Sequence, residues 1–113
     1  MKIEKSLIAG SAAMLVLKLL AEGDKYGYQI TDELSKRSQN VFEMKSGTLY
    51  PLLHSLEQKS FVRAYEREES GRIRRYYSIT DEGRRALEEK SAEWSSYRSA
   101  VESVMGGALC AAE

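Results

Sequence analysis

The chain has 113 residues, 42% of them hydrophobic and 30% charged, with 17 basic residues balancing 17 acidic ones. This composition suits one soluble domain with a packed core and a long helix beside it. The single cysteine, Cys110, excludes an intramolecular disulfide and has no Cys or His partners at metal-ligand spacing, so no metal and no cofactor is expected. The balanced charge taken alone argues against a nucleic-acid partner, but its distribution does not. Residues 36–77 carry a net +4, between flanks of −1 for residues 1–35 and −3 for residues 78–113. Local fields rather than totals decide where a polyanion docks.

The apolar run Leu7–Leu20 is broken by Gly10, Ser11 and Lys18 and is too short to span a bilayer. No cleavable signal stands out, and a cytoplasmic protein with no membrane contact is expected. Ser11–Glu22 reads as a first helix, apolar almost all round, which must be covered on more than one side. Glu22-Gly23-Asp24 ends it. A second helix is expected over Tyr26–Arg37, with Ile30 and Leu34 on its inner face. Gly27 in its first turn costs about 1 kcal/mol of helix propensity relative to Ala, which suggests close approach of a neighbouring helix or of a DNA backbone. In the connection 38–43, Val41 and Phe42 are the two residues able to reach the core.

Ser46 is a suitable N-cap for a third helix in which Leu49, Leu52, Leu53 and Leu56 form one apolar face. Pro51 follows Gly47 by four residues, where the lost hydrogen bond and ring clash are smallest, so it should bend the helix without ending it. The outer face carries Thr48, Tyr50, Pro51, His54 and Ser55. Strands are expected at Val62–Arg67 and Arg72–Ile79 around a Glu69-Ser70-Gly71 turn, with Tyr77 and Ile79 facing the core. Thr80 then caps a long final helix with Asp81 and Glu82 at its positive end. Leu87, Trp94 and Val101 recur at seven residues, as do Lys90, Tyr97 and Val104, and Gly106-Gly107 ends the helix. One helix cannot cover these aromatic and aliphatic residues alone, so a second copy of the chain is the expected partner.

A capped helix with a polar outer face, followed by a basic hairpin, suits the major groove of DNA. Lys45, Ser46 and Thr48 are the candidate phosphate and base contacts, and Tyr50 could equally pack beneath the hairpin. Arg72 and Arg74 beside the glycine turn suit a narrow minor groove, unless Glu66, Glu68 and Glu69 neutralise them. His54 has no Ser, Asp or metal partner and reads as a surface residue. Trp94 and Tyr97, with Leu7 and Met14 of the first helix, are candidates for a pocket taking a flat apolar or aromatic effector, although Trp94 could simply pack a dimer seam.

The order helix, helix, helix, two-stranded wing and long helix is that of a winged helix-turn-helix protein, mainly α with a small β-hairpin. In KYGYQI (25–30), SGTLYPLLHSLEQ (46–58) and RRYYSITDEGRRAL (74–87) the chain resembles the PadR family of bacterial transcriptional regulators, in its subgroup with a short C-terminal part. Ser60 stands where that family usually has glycine, and Lys25 where it often has histidine. The resemblance implies a DNA-binding domain over 1–80, a dimerisation helix over 81–106 and a loose tail over 107–113. It also implies a homodimer on a pseudo-palindromic operator, usually a repressor released by a small molecule. By position, Tyr26, Gly27, Lys45, Ser46, Thr48, Tyr50, Pro51, Arg72 and Arg74 would meet DNA. Leu87, Trp94, Tyr97, Val101 and Val104 would form the dimer seam.

Two other classes compete. A winged helix can lose specific DNA binding and serve as a protein-interaction module, which the acidic residues of the wing favour. An enzyme is not expected, because the sequence offers no paired carboxylates, no nucleophile with a base, no metal cluster and no phosphate-binding glycine loop.

Overall fold

The computed structural model describes residues 3–106, so the expected tail over 107–113, with Cys110, lies outside the described residues. Four helices and three strands follow in the order α1 (Lys5–Ala21), β1 (Lys25–Tyr26), α2 (Gly27–Arg37), α3 (Ser46–Gln58), β2 (Val62–Glu69), β3 (Arg72–Ile79) and α4 (Asp81–Val104). The core lies where α1, α2 and α3 meet the inner face of the sheet. Val16, Leu17, Leu20, Ile30, Leu49, Leu53 and Leu56 are all essentially sealed from solvent there. Each such aliphatic side chain contributes about 1.5–3 kcal/mol by leaving water. The nearly all-round apolar face of α1 is explained by its neighbours, since it packs against α2, α4 and β3.

Helix α1 starts six residues before the expected Ser11. Glu4 accepts backbone hydrogen bonds from Leu7 and Ile8, but Lys5, Ser6, Leu7, Ala9 and Gly10 stay exposed. Those extra turns have no buried stripe, so hydrophobic periodicity could not reveal them. At the other end, Glu22 pairs with Arg37, which also bonds Glu33 at 2.9 Å. The Arg37 guanidinium holds the Glu22 carboxyl below its ordinary range and ties the end of α1 to the last turn of α2.

The sheet is an antiparallel triplet ordered β1-β3-β2, one strand more than the hairpin expected. Tyr26, expected to be helical, sits in β1, where Lys25 pairs with Tyr77 and Tyr26 with Tyr76. Two residues have no alternation to detect, so this strand was silent in the sequence. In the wing, β2 runs two residues beyond the expected Arg67, in register from Val62 opposite Ile79 to Glu69 opposite Arg72. Ser70 (φ 51°) and Gly71 (φ 77°) form the turn, both left-handed as a type I′ hairpin requires. Tyr77 and Ile79 face the core as expected, and Tyr76 is also buried, on the opposite face.

The predicted cap at Ser46 does not form. Lys45 occupies the N-cap without a side-chain hydrogen bond, and Ser46 is already the first helical residue. Thr48 and Leu49 donate to the Lys45 carbonyl instead, each at 2.9 Å. Pro51 lies inside α3, which continues to Gln58. Of the two core candidates in the α2–α3 connection, Phe42 packs against the core, whereas Val41 remains exposed. Ser38 explains the difference. Its hydroxyl donates to the Leu34 carbonyl at 2.6 Å and accepts the Phe42 N–H at 2.9 Å, which draws residue 42 inward.

The expected cap at Thr80 is present, its hydroxyl oxygen accepting the Gly83 N–H at 2.9 Å. The same hydroxyl donates to the Ser60 carbonyl at 2.7 Å, and the Thr80 N–H donates to Phe61 at 3.0 Å. Gly83 is buried against that junction. A Cβ there would overlap the Phe61 carbonyl oxygen and lie 2.8 Å from Ile79 Cγ1, so this turn of α4 tolerates no side chain. Ser60 sits at φ 65°, which accounts for the glycine expected at its position.

Candidate nucleic-acid interface

Helix α3 buries Leu49, Leu53 and Leu56 and thereby turns Lys45, Ser46, Thr48, Tyr50, Pro51 and His54 to solvent. Gly47 is open above, with no atom outside its own stretch of helix within 4 Å of where a Cβ would stand, so a ligand can approach the helix opening closely. Beside this head, a cleft of about 550 Å³ runs between the start of α2 and the wing. Tyr26, Gly27, Tyr28 and Tyr50 line it on one side and Arg72, Ile73, Arg74 and Arg75 on the other. It exists because β1 pairs only with residues 76 and 77, leaving the arginine-rich edge of β3 uncovered.

Tyr50 is exposed, yet its hydroxyl end rests on Gly27. A Cβ at residue 27 would lie 2.9 Å from Tyr50 Cζ and closer still to the hydroxyl. The close approach expected at Gly27 is therefore supplied by α3, and Gly27 itself is buried. The obstacle is the far end of a flexible ring, which can swing aside, unlike the backbone that crowds Gly83.

The arginines of the wing divide by their partners. Among the described residues, Lys45 and Arg72 form no ion pair. Arg67 pairs with Glu69 at 3.0 Å, Arg74 with Glu69 at 3.5 Å, and Arg75 with Glu57 of α3 at 3.5 Å. Arg74 also donates to the Tyr26 hydroxyl at 2.8 Å, with its guanidinium 4.5 Å from the centre of that ring. Of the three acids weighed against the wing arginines, Glu69 pairs, whereas Glu66 and Glu68 form no ion pair among the described residues. The ring contacts among Tyr26, Tyr65 and Tyr76 go beyond the expectation, although Tyr65 and Tyr76 on neighbouring strands are a visible signal of them.

A second feature lies on the other side of the molecule. Leu7, Met14, Trp94 and Tyr97 line one open groove of about 530 Å³ between α1 and α4, with Lys90 and Glu93 at its polar margin. Trp94 is 42% exposed, Tyr97 61% and Val104 87%, so the aromatic stripe of α4 lacks a cover in a single chain. Val101 is half-buried. Leu87 differs from the others, packing against the core of its own domain. The Arg98 guanidinium lies 5.4 Å from the centre of the Trp94 ring. No helix among the described residues is long and apolar enough to cross a membrane.

These features can be set beside known proteins. The sequence pattern of the Transcriptional regulator PadR-like family matches residues 16–89. An uncharacterized protein of Lysinibacillus sphaericus is 36% identical over 106 residues, spanning 93% of this chain and 97% of its own length. Transcriptional regulator Rv3488 of Mycobacterium tuberculosis is 39% identical over 74 residues, 66% of each protein. Among solved structures, a transcriptional regulator from Clostridium thermocellum superposes with a TM-score of 0.82 at 31% identity, covering 88% of this chain and 97% of that one. A PadR family transcriptional regulator from Eggerthella lenta gives 0.80 at 32% identity, with 88% and 86% covered. With the sequence pattern, the near-full-length relative and the winged-helix architecture in agreement, the chain belongs to the PadR-like family of transcriptional regulators.

Proposed function

We propose that this protein is a sequence-specific DNA-binding regulator acting as a cytoplasmic homodimer, a repressor that a small apolar or aromatic molecule releases. The observation that carries the DNA reading is the cleft shared by Tyr50 of α3 and Arg72 of the wing. It brings the polar head of a helix and an unpaired cation to one side of the domain. Residues 1–80 form the DNA-binding part in this reading, and 81–106 the dimerisation helix. Lys45, Ser46, Thr48, Tyr50 and Pro51 enter the major groove, and α2, the helix that Tyr26 and Gly27 open, rests on the backbone. Two copies held about 34 Å apart, one turn of B-DNA, read a pseudo-palindrome. Trp94, Tyr97, Leu7 and Met14 offer the effector a wall that the second copy closes.

The protein-interaction reading draws support from Glu57 and Glu69, which neutralise three arginines of the wing. Fluorescence anisotropy separates the two. A duplex from upstream of the protein's own gene and a scrambled duplex are titrated across a salt series, with genomic-fragment selection supplying further duplexes. The regulator reading expects tight, sequence-dependent binding whose logarithm falls with log salt by about 0.9 per phosphate neutralised. Weak and equal binding to every duplex tested sinks it in favour of the interaction module.

A further inference from the structure

Arg74 stands at the centre of a closed circuit of contacts on the outer face of the sheet. Its guanidinium lies over the Tyr26 ring and donates to the Tyr26 hydroxyl at 2.8 Å, with Glu69 Oε1 3.5 Å away. The same carboxylate accepts the Tyr76 hydroxyl at 2.8 Å and pairs with Arg67 at 3.0 Å. Tyr76 meets the Tyr26 ring edge-on at 5.4 Å and stacks on Tyr65 at 5.7 Å. Tyr65 in turn donates to Asp24 at 2.6 Å, which returns the circuit to the segment that opens α2. Arg67 and Arg74 are directly cross-strand neighbours, a repulsive arrangement that Glu69, bonded to both, makes tolerable.

From this we infer that Arg74 is a positioning residue of the DNA-binding face, a strut that fixes the angle of the wing against the start of α2, while Arg72 makes the phosphate contact. The inference rests on the DNA-binding reading for its effect on affinity, but not for the existence of the strut. To take a phosphate, Arg74 would have to leave a ring, a hydroxyl and a carboxylate together. Arg72, exposed and without an ion pair among the described residues, gives up nothing. Wing and α2 opening thus hold one relative orientation beside α3, whose Tyr50 rests on Gly27 next to Tyr26, and discrimination between base sequences needs that orientation.

Arg74→Lys is the informative change, since lysine keeps the point charge but loses the planar, stacking fork. Tyr26→Phe removes only the hydroxyl. Binding to the preferred duplex across a salt series is measured for both and for Arg72→Gln, alongside hydrogen exchange of the free proteins. The expected result is that Arg74→Lys and Tyr26→Phe lower discrimination against a scrambled duplex about fivefold while the salt slope stays at the wild-type value. Exchange over residues 24–28 and 65–76 then rises in both. Arg72→Gln reduces the slope by about 1 and leaves exchange unchanged. Arg74→Lys with wild-type discrimination and wild-type exchange overturns the inference, because charge alone would then suffice. If the wild type prefers no duplex, the DNA-binding reading falls, and the exchange data decide by themselves whether the strut exists.

Discussion

In the wing and the β1 strand beside it, Arg67, Arg74 and Arg75 each find a carboxylate, and Tyr26, Tyr65 and Tyr76 each find a ring neighbour. Along the second half of α4, Trp94, Tyr97 and Val104 stay exposed in large part, with Arg98 beside the Trp94 ring and an open groove toward α1. Both regions project from the core, yet one is completed within a single chain and the other is not. Polar groups at a surface can satisfy one another locally or with water. Apolar groups gain only by removing area from water, and a lone helix has no second surface with which to do so. The wing is therefore organised within one chain, whereas the α4 stripe leaves apolar area that the proposed dimer would cover.

The sharpest way to break this contrast is at the joint between the two regions. Gly83→Ala gains helix propensity but drives a methyl into the Phe61 backbone, which cannot rotate away. We expect a net loss of about 2–3 kcal/mol, measured as a shift in the urea midpoint. An unchanged midpoint would mean that wing and α4 are less firmly joined than the packing implies. Trp94→Ala tests the unfinished side. Monomer stability should fall by no more than about 2 kcal/mol, because the ring is half exposed, while the dissociation constant of the proposed dimer rises at least about tenfold. Sedimentation over a concentration series reads this directly, and an unaltered constant would move the seam elsewhere.

Smaller effects refine the account of the wing. Ser60→Gly removes the cost of a left-handed serine at the entry to β2 and should raise stability by about 0.5 kcal/mol, against the entropy that glycine adds to the unfolded chain. A loss of stability on urea titration would refute that assignment of strain. The least effect is expected from pH. Hydrogen bonds to Asp24 and Glu69 hold the Tyr65 and Tyr76 phenols above their ordinary range. Their contribution is complete below the unfolded tyrosine value of about 10 and is lost as pH rises through the higher folded values. Absorbance at alkaline pH should show late-ionising phenol in the wild type and less of it in Tyr65→Phe.

What could be read in the sequence follows the same physical division. Helix α3, strand β3 and the Thr80 cap carry periodic or capping signals within a few residues, and the structure has them at or near the expected bounds. Strand β1 was lost because two residues have no period, and it exists only because β3 offers them an edge. The extra turns of α1 bury too little to leave a pattern. Ser46 had the right chemistry for a cap but stands one residue inside the helix. At the candidate site, exposure of Thr48 and Tyr50 follows from the leucines on the opposite face, and Leu7, Met14, Trp94 and Tyr97, which the sequence groups as one candidate pocket, line one groove. The tyrosine–arginine circuit was not, since its members are up to 50 positions apart and meet only through sheet register. Gly83 gave no signal either, because a glycine in a first helical turn looks merely unfavourable until the Phe61 carbonyl is seen beside it.

The tight junction at Thr80 and Gly83 has a mechanical consequence. Helix α4 spans 24 residues, about 36 Å at 1.5 Å per residue, and one residue separates it from β3. With Thr80 bonded to Ser60 and Phe61, and Gly83 pressed on the same backbone, that residue has little freedom to act as a hinge. The helix is then a lever rigidly fixed to the base of the wing. A displacement of about 3 Å at its far end corresponds to a tilt of about 5°, and the joint passes that tilt on to the strands instead of absorbing it.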